Sequence, residues 1–387
     1  MKPAIVEHLV IGGGPAGSMV ALRLGGAGRA VTLVERERGA HDKVCGEFLS
    51  REAVAYLAQV GLELASLGAV AIDRVRLGAG NRVVEATLPF RAFSLSRRVL
   101  DEAMLARAQA MRSDVRRGLE VTAVDREDAR EGDLWRVTMR DGAVLRARHV
   151  FLATGKHEVR GWVRGAGRHA DLVGFKMHWR LRPAQTEALR GVMELFLLRD
   201  GYGGLSLVEG DTATLCFVIR RACLQALRGW PDLLAAVRGA SESLAMHLEG
   251  AQALWERPLA IAPIPYGWMA QETDALWRVG DQAAVIPSFT GDGMSIALHS
   301  AALAAQMFLD GRSAQAYGRA LRAQLRGSMR LATLVSRAMV TATGRRFAPL
   351  GLAIAPGSMR WIAGATRIRE RDQVAWNGAR LGVAHPA

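Results

Sequence analysis

The sequence predicts an α/β fold: a Rossmann-type nucleotide-binding domain, an inserted mixed β-sheet domain and a helical C-terminus. Three observations predict it. A glycine-rich turn joins an apolar strand to a helix near the N-terminus, a second such turn precedes a long helix far downstream, and short alternating strands lie between them. The 387 residues are 50% hydrophobic, which is enough for a large core and favours two domains.

The N-terminal turn is the run GGGPAG at positions 12–17. It follows the apolar residues 8–11 and precedes a helical stretch over 18–24. A second apolar strand, 31–34, ends at Glu35. Strand, turn, helix and strand in this order predict a βαβ unit that binds a dinucleotide.

Each position of the turn has a mechanical role. Gly12 makes the tight turn, Gly14 lets the backbone approach a pyrophosphate, and Gly17 lets helix and strand pack closely. Pro15 and Ala16 complete the turn, and the unpaired N–H groups of the helix start favour phosphate.

Two side chains end the second strand. Glu35 lies about twenty residues after the first glycine, where its carboxylate is placed to bind ribose hydroxyls. Arg36 follows it and is included in the predicted cofactor site.

The second glycine-rich turn begins where residues 277–284 predict a strand that runs into a turn. The loop PSFTGDGMS at 287–295 follows, and then a helix from Ile296. Together the two turns resemble those of a large flavoprotein class that includes aromatic hydroxylases, flavin halogenases and geranylgeranyl reductases.

This resemblance implies FAD as the cofactor and a fold of the para-hydroxybenzoate hydroxylase (GR2) type. The pair Gly280-Asp281 is then expected to contact the ribityl and pyrophosphate groups, and the helix N-terminus to point at the flavin pyrimidine. The implied donors and loop residues there are Pro287, Gly291, Gly293 and Met294. A helix N-terminus stabilises the negative charge of reduced flavin.

A third motif, KVCGEFLS at 43–50, resembles the Lys-x-Cys-Gly segment of geranylgeranyl reductases and FixC-like flavoproteins. In that branch the segment lies beside the isoalloxazine ring, which implies contacts from Lys43, Cys45 and Gly46. Arg97 resembles the arginine at a helix start of the same class. The resemblance covers about residues 5–310.

The sequence also departs from the class. After the strand that closes the first domain, Thr154-Gly155 stands where hydroxylases usually have Asp-Gly. No Trp-x-Trp-x-Ile-Pro segment of tryptophan-type halogenases is present. Where geranylgeranyl reductases have Tyr-x-Trp-x-Phe-Pro, Tyr202 remains, but Gly204 replaces the Trp and Ser206-Leu207 replaces Phe-Pro, which is expected to open the pocket.

We assign the FAD-binding domain to residues 1–72, 96–168 and 270–311, the substrate domain to 73–95 and 169–269, and a C-terminal helical region to 312–387. The substrate domain contains strands with alternating side chains. Phe175, Met177, Trp179 and Leu181 predict its buried face, and Lys176, His178, Arg180 and Arg182 its exposed face.

The C-terminal region is rich in arginine, with Glu370 and Asp372 as its only acids. Leu321, Leu325, Met329, Leu334 and Met339 recur at roughly helical spacing. They predict an amphipathic helix that packs on the FAD-binding domain. An alternative interpretation is that the basic face of this helix docks on an anionic membrane or on an acidic carrier protein.

Composition limits the remaining classes. Three widely spaced cysteines and no signal peptide favour a reducing cytoplasm, with peripheral association at the inner face of the membrane left open. No zinc spacing and no basic-aromatic cluster occurs, so neither a metal nor nucleic acid is expected despite the net charge of +14.

Three residues are candidates for catalysis: Cys45 and Lys43 beside the flavin, and Tyr202 on the substrate sheet. The leading hypothesis is monooxygenation of a hydrophobic aromatic or polyketide-like metabolite. One alternative is reduction of carbon–carbon double bonds in an isoprenoid lipid, and another is FixC-like electron transfer. NAD(P)H and a protein electron donor both remain open as the source of electrons.

Overall fold

The computed structural model describes residues 5–127, 134–271, 276–341, 343, 361 and 363–376. The strands are β1 (Ile5–Ile11), β2 (Val31–Glu35), β3 (Phe48–Leu49), β4 (Val70–Ala79), β5 (Arg82–Ser94), β6 (Asp114–Arg117), β7 (Val121–Glu127), β8 (Leu134–Met139), β9 (Val144–Leu152), β10 (Leu172–Arg180), β11 (Val192–Leu198), β12 (Gly201–Val208), β13 (Thr212–Arg220), β14 (Gln252–Ala253), β15 (Leu259–Ile261) and β16 (Trp277–Arg278). The helices are α1 (Pro15–Gly26), α2 (Arg51–Gln59), α3 (Arg97–Ala110), α4 (Pro183–Leu189), α5 (Arg221–Leu224), α6 (Trp230–Arg238), α7 (Glu242–His247), α8 (Gly293–Leu309) and α9 (Ala314–Met339).

The first sheet has the order β6-β2-β1-β9-β8-β7, and β16 pairs with β9. The pairs among β6, β2, β1, β9 and β16 are parallel. Their carboxyl ends therefore meet at one edge, where Ile11 is in register with Leu152 and Leu152 with Arg278. Open α/β sheets bind their ligands at this edge.

Helix α1 is enclosed against this sheet. Every residue from Pro15 to Leu24 is buried, which agrees with a helix that is apolar on all sides. It contacts α3 and α8, and the three helices share one hydrophobic core with β1 and β2. The helix predicted over 18–24 extends in the structure from Pro15 to Gly26.

The second sheet has the order β14-β10-β13-β12-β11-β4-β5-β3, with β15 also paired to β10. The β4–β11 pair is parallel and the other pairs are antiparallel, so this sheet is mixed. The predicted α/β fold with an inserted mixed sheet is confirmed. Strand β3 and the first residues of β4 belong to this sheet, although they lie within segment 1–72.

The two faces of the second sheet have different neighbours. Met177, Trp179 and Phe217 on the outer face pack against α6 and α7 through Leu233 and Leu244. The inner face turns toward the first domain. Strands β10 to β13 are therefore buried on both sides, and their inner face is available to form one wall of a site.

Helix α9 packs on the first domain through a core face that includes Tyr317, Leu321, Leu325 and Met329. The prediction that Leu334 shares this face is wrong, because Leu334 is 68% exposed. The step of five residues from Met329 turns Leu334 away from the core, whereas steps of three or four keep a side chain on one face. Among the described residues, no helix has the length and hydrophobicity needed to cross a bilayer.

Candidate functional site

A cavity of about 1120 Å³ lies between the carboxyl edge of the first sheet and the inner face of the second. Most of the predicted cofactor residues line it: Gly12, Gly14, Pro15, Ala16, Glu35, Arg36, Lys43, Cys45, Gly46, Arg97, Thr154, Gly155, Gly280, Asp281, Gly291, Gly293 and Met294. Gly17 and Pro287 lie behind the wall rather than on it.

The first glycine turn follows β1 directly. Gly14 caps α1 without a side-chain hydrogen bond, so the first N–H groups of the helix are open toward the cavity. A Cβ atom on Gly17 would overlap the carbonyl oxygen of Gly12, which explains why this position must be glycine. The carboxylate of Glu35 accepts hydrogen bonds from Gly13 N at 2.6 Å and Glu37 N at 3.0 Å, so the strand end is tied to the turn.

The second glycine turn meets the first. Gly280 follows β16, and a Cβ atom placed on it would be 3.0 Å from the Cβ of Ala16. Its N–H donates to Ser300 Oγ on α8 at 2.9 Å. Asp281 lies 3.6 Å from Lys156 Nζ, next to Gly155 at the end of β9. Two turns that are distant in the sequence therefore share one pocket.

The loop before α8 closes a third side. Gly291 has a φ of +70°, and the ring of Phe48 occupies the space where a side chain at this position would be. Helix α8 begins at Gly293, and its first N–H groups provide a positive dipole end at the cavity. Pro287 shapes the loop through its carbonyl, which accepts a hydrogen bond from Thr290 Oγ1 at 3.0 Å.

Two cations stand beside the first turn. Lys43 Nζ bonds Asp101 Oδ2 at 3.1 Å, and Arg97 bonds the same carboxylate through Nε and Nη2, both at 2.8 Å. Burial alone would lower the pKa of Arg97, but Asp101 raises it above its ordinary value. A Cβ atom on Gly14 would be 3.2 Å from Arg97 Nη2 and 3.9 Å from Lys43 Nζ. Positive charge thus lies where a pyrophosphate needs it.

The other two catalytic candidates also line the cavity. Cys45 is partly exposed, and its Sγ accepts a hydrogen bond from Glu47 N at 3.4 Å. Tyr202 is 2% exposed, and its hydroxyl lies 3.3 Å from Ser336 Oγ. Burial raises the pKa of Tyr202, so its phenol keeps its proton at neutral pH.

A buried charge network was missed at the sequence level. Lys176 and His178 were predicted on the exposed face of β10, and this is wrong: they are 0% and 7% exposed. Both bond the carboxylate of Glu47, Lys176 through Nζ and His178 through Nε2 at 3.1 Å. The N–H of Arg97 donates to the same carboxylate at 2.8 Å.

The network is ionic. Burial raises the pKa of Glu47, but the bonds from His178 and Lys176 outweigh it and lower the pKa below the ordinary value. Oxygen and nitrogen atoms of Asp42, Glu47 and His178 lie within 4.8 Å of one another, as in a metal site. However, Lys176 Nζ already bonds Glu47 and lies 3.7 Å from Asp42, so the protein supplies its own cation there.

These features fit FAD. The cavity offers a glycine turn with open N–H groups, two fixed cations, a carboxylate at the strand end and a second helix N-terminus, in one connected space. Dinucleotide-binding flavoproteins need this set of groups.

Comparison with known proteins agrees with FAD as the cofactor. Residues 6–172 match a family model described as "FAD binding domain", which confirms the predicted cofactor. A menaquinone reductase of Mycolicibacterium smegmatis is 26% identical over 329 residues, covering 79% of this chain and 76% of the relative. A menaquinone reductase of Mycobacterium tuberculosis is 25% identical over 332 residues, covering 79% and 77%.

Solved structures share the fold. The myxobacterial chondrochloren halogenase CndH has a TM-score of 0.74 and 20% identity, covering 95% of this chain and 91% of its own. PqsL of Pseudomonas aeruginosa, described as a probable FAD-dependent monooxygenase, has a TM-score of 0.70 and 20% identity, covering 91% and 100%. At this identity the similarity establishes the architecture alone.

Replacing Gly17 by Ala should impair FAD binding, because the added methyl overlaps the carbonyl of Gly12 and forces the turn to shift. Overpacking of this kind costs about 1–3 kcal/mol, and if the cofactor-binding form bears this cost, binding weakens roughly 5- to 150-fold. Flavin fluorescence titration of apoprotein measures it. Gly39→Ala is the control, since nothing lies within 4 Å of a Cβ there. Equal affinity of the two variants would contradict the proposed role of the turn.

Lys176→Met should destabilise the protein by about 3–5 kcal/mol, because it leaves the buried Glu47 carboxylate without its principal counter-charge. Denaturant unfolding measures the loss. Arg180→Met, an exposed position on the same strand, should change stability by about 0.5 kcal/mol or less. Adding Glu47→Gln to Lys176→Met should recover part of the loss, and a strictly additive double variant would refute the coupling.

Proposed function

We propose that this FAD-dependent oxidoreductase reduces carbon–carbon double bonds in the chain of an isoprenoid lipid. The observation that carries the proposal is the relationship to two menaquinone reductases over 79% of the chain. Menaquinone is an isoprenoid quinone, so these relatives favour the reductase hypothesis. The sequence alone favours monooxygenation instead.

Two apolar walls of the cavity, one from the second sheet and one from α9, support this substrate class. The sheet presents Val75 and Leu77 on β4 and Met193, Leu195 and Leu197 on β11, and the helix presents Val335 and Met339. An isoprenoid chain has no polar group to satisfy, and a wall of this composition gains free energy by taking it from water. Gly204 on β12 also lines the cavity, and the side chains of Met193 and Leu195 lie against the position where its Cβ would be.

The roles of the chain follow from the site. FAD held by the two glycine turns would supply a hydride for one carbon of the double bond, after its reduction by NAD(P)H or a protein donor. The other carbon needs a proton, and we assign its source to Cys45 or Tyr202, which both line the cavity and carry a hydrogen. Lys43 is held in an ion pair with Asp101, so we assign it to cofactor binding rather than to proton transfer.

An anaerobic single-turnover experiment tests the reaction. Holoprotein reduced with dithionite is mixed with menaquinone in detergent, and the flavin spectrum and product mass are followed. We expect the flavin to be reoxidised without oxygen and the isoprenoid chain to gain two hydrogens, which remain in the product after its quinone ring has been reoxidised in air; hydrogens lost at that step would instead indicate reduction of the ring. Flavin that is reoxidised only after oxygen is admitted, with oxygen in the product, would favour oxygenation. Reoxidation by a redox protein alone would favour electron transfer.

We also propose that α9 docks on an anionic membrane, from which a lipid substrate is taken. Arg319, Arg326, Arg330, Leu334 and Arg337 are exposed and lie on one side of the helix. Val335 and Met339 at the same end of α9 line the cavity. An exposed apolar side chain among arginines is suited to the headgroup region of a bilayer.

Vesicle cosedimentation tests the docking. Arg326→Gln with Arg330→Gln should weaken binding to phosphatidylglycerol vesicles roughly 30-fold, since each basic residue near the surface contributes about 1 kcal/mol. Arg199→Gln with Arg228→Gln, at positions whose side chains are 87% and 95% exposed elsewhere, should have little effect. Absence of wild-type binding at low salt would overturn the membrane proposal and leave an acidic protein as the partner.

A further inference from the structure

Residues 363–376, here called the C-terminal strap, cross the FAD-binding domain far from the fingerprint turns in sequence. Ile368 is 5% exposed and belongs to the main hydrophobic core. Farther along, Val374 N donates to Tyr56 Oη at 3.0 Å, and Arg23 Nη1 donates to the carbonyl of Ala375 at 3.2 Å. The Arg23 guanidinium also lies 4.6 Å from the ring centroid of Trp376. The strap is therefore anchored firmly on α1 and α2.

The anchored strap places Arg367 at the cavity. Its Nη1 bonds Asp292 Oδ1, and its Nη2 donates to the carbonyl of Thr290 at 3.3 Å. The guanidinium lies 4.7 Å from the ring centroid of Phe90. The side chains of Arg367 and Asp292 are 8% and 1% exposed, so the pair is shielded from water. Arg367 lines the cavity.

The partner carboxylate has an unusual position. Asp292 stands between Gly291 of the preceding loop and Gly293, the first residue of α8, and its carbonyl accepts the first helical bond from Ile296 N at 2.9 Å. Burial raises the pKa of Asp292 to about 6, against the opposing effect of Arg367. An ionised carboxylate here would oppose the positive helix end that favours reduced flavin.

We propose that Arg367 acts on the cofactor through Asp292: it cancels the charge of this carboxylate and so keeps the reduction potential of bound FAD high. Charges near the flavin ring tune the relative affinity for the oxidised and reduced forms, and they act strongly in a desolvated site. Arg367 is thus a positioning residue for electrostatics. The proposal holds for any substrate, so it stands apart from the proposed reaction.

Spectroelectrochemical titration of the holoprotein tests it, at one salt concentration and at an alkaline pH, because the pKa of Asp292 is raised and its carboxyl must stay ionised when Arg367 is removed. Arg367→Gln should then shift the midpoint potential to more negative values, equivalent to roughly a tenfold loss in affinity for reduced relative to oxidised FAD. Asp292→Asn leaves the arginine uncompensated and should shift the potential in the opposite direction. The double variant removes both charges and should return close to the wild-type value.

Control variants separate this role from a purely structural one. Arg369→Gln, at an exposed position on the same strap, should leave the potential unchanged. Arg367→Lys keeps the positive charge, so its midpoint potential should stay near that of the wild type. If Arg367→Gln does not retain FAD, Asp292→Asn and Arg367→Lys together still test the proposal. Unchanged potentials in Arg367→Gln and Asp292→Asn would overturn the proposal. Shifts of the same sign in both variants, with looser FAD binding, would also overturn it and assign the pair to structure alone.

Discussion

The site depends on the register of three parallel strands. Because β1, β9 and β16 run side by side and end together, the turns at Gly12, Thr154 and Gly280 open onto the same edge of one sheet. Backbone hydrogen bonds between the strands fix this register, and the buried apolar residues around the strands stabilise these bonds. A slip in either of the two pairings, β1 with β9 or β9 with β16, would separate the two glycine turns.

A second constraint connects the two sheets. Glu47 follows residues 43–46, which line the cavity, whereas Lys176 and His178 belong to β10 of the second sheet. Their ion pair bridges the two domains at the cavity wall. Buried ion pairs add little net stability compared with apolar contacts, but they penalise every arrangement in which the partners part. The network therefore fixes the spacing between the segment 43–47 and the second sheet more than it strengthens the fold.

Local chemistry explains what the sequence predicted well. The turn at 12–17 and the loop before α8 are glycine-rich helix starts, and a motif of a few consecutive residues is enough to predict such a feature. The exposed-face prediction for Lys176 and His178 failed because alternation distinguishes two faces of a strand but not what covers each face. Arg367 was missed for a related reason: an isolated arginine in an irregular segment carries no periodic signal, and its partner is 75 residues away.

The discontinuity of the cofactor domain has a consequence for how the chain matures. The fingerprint turn leaves the ribosome early, but Gly280 and α8 follow only after the whole inserted sheet has been made. Until then α1 lacks the helix that covers it, and its apolar surface is open to solvent. Transiently exposed apolar surface of this kind favours aggregation during synthesis. Because both glycine turns are needed to form the cavity, flavin capture is expected to follow completion of α8 and to stabilise the finished fold.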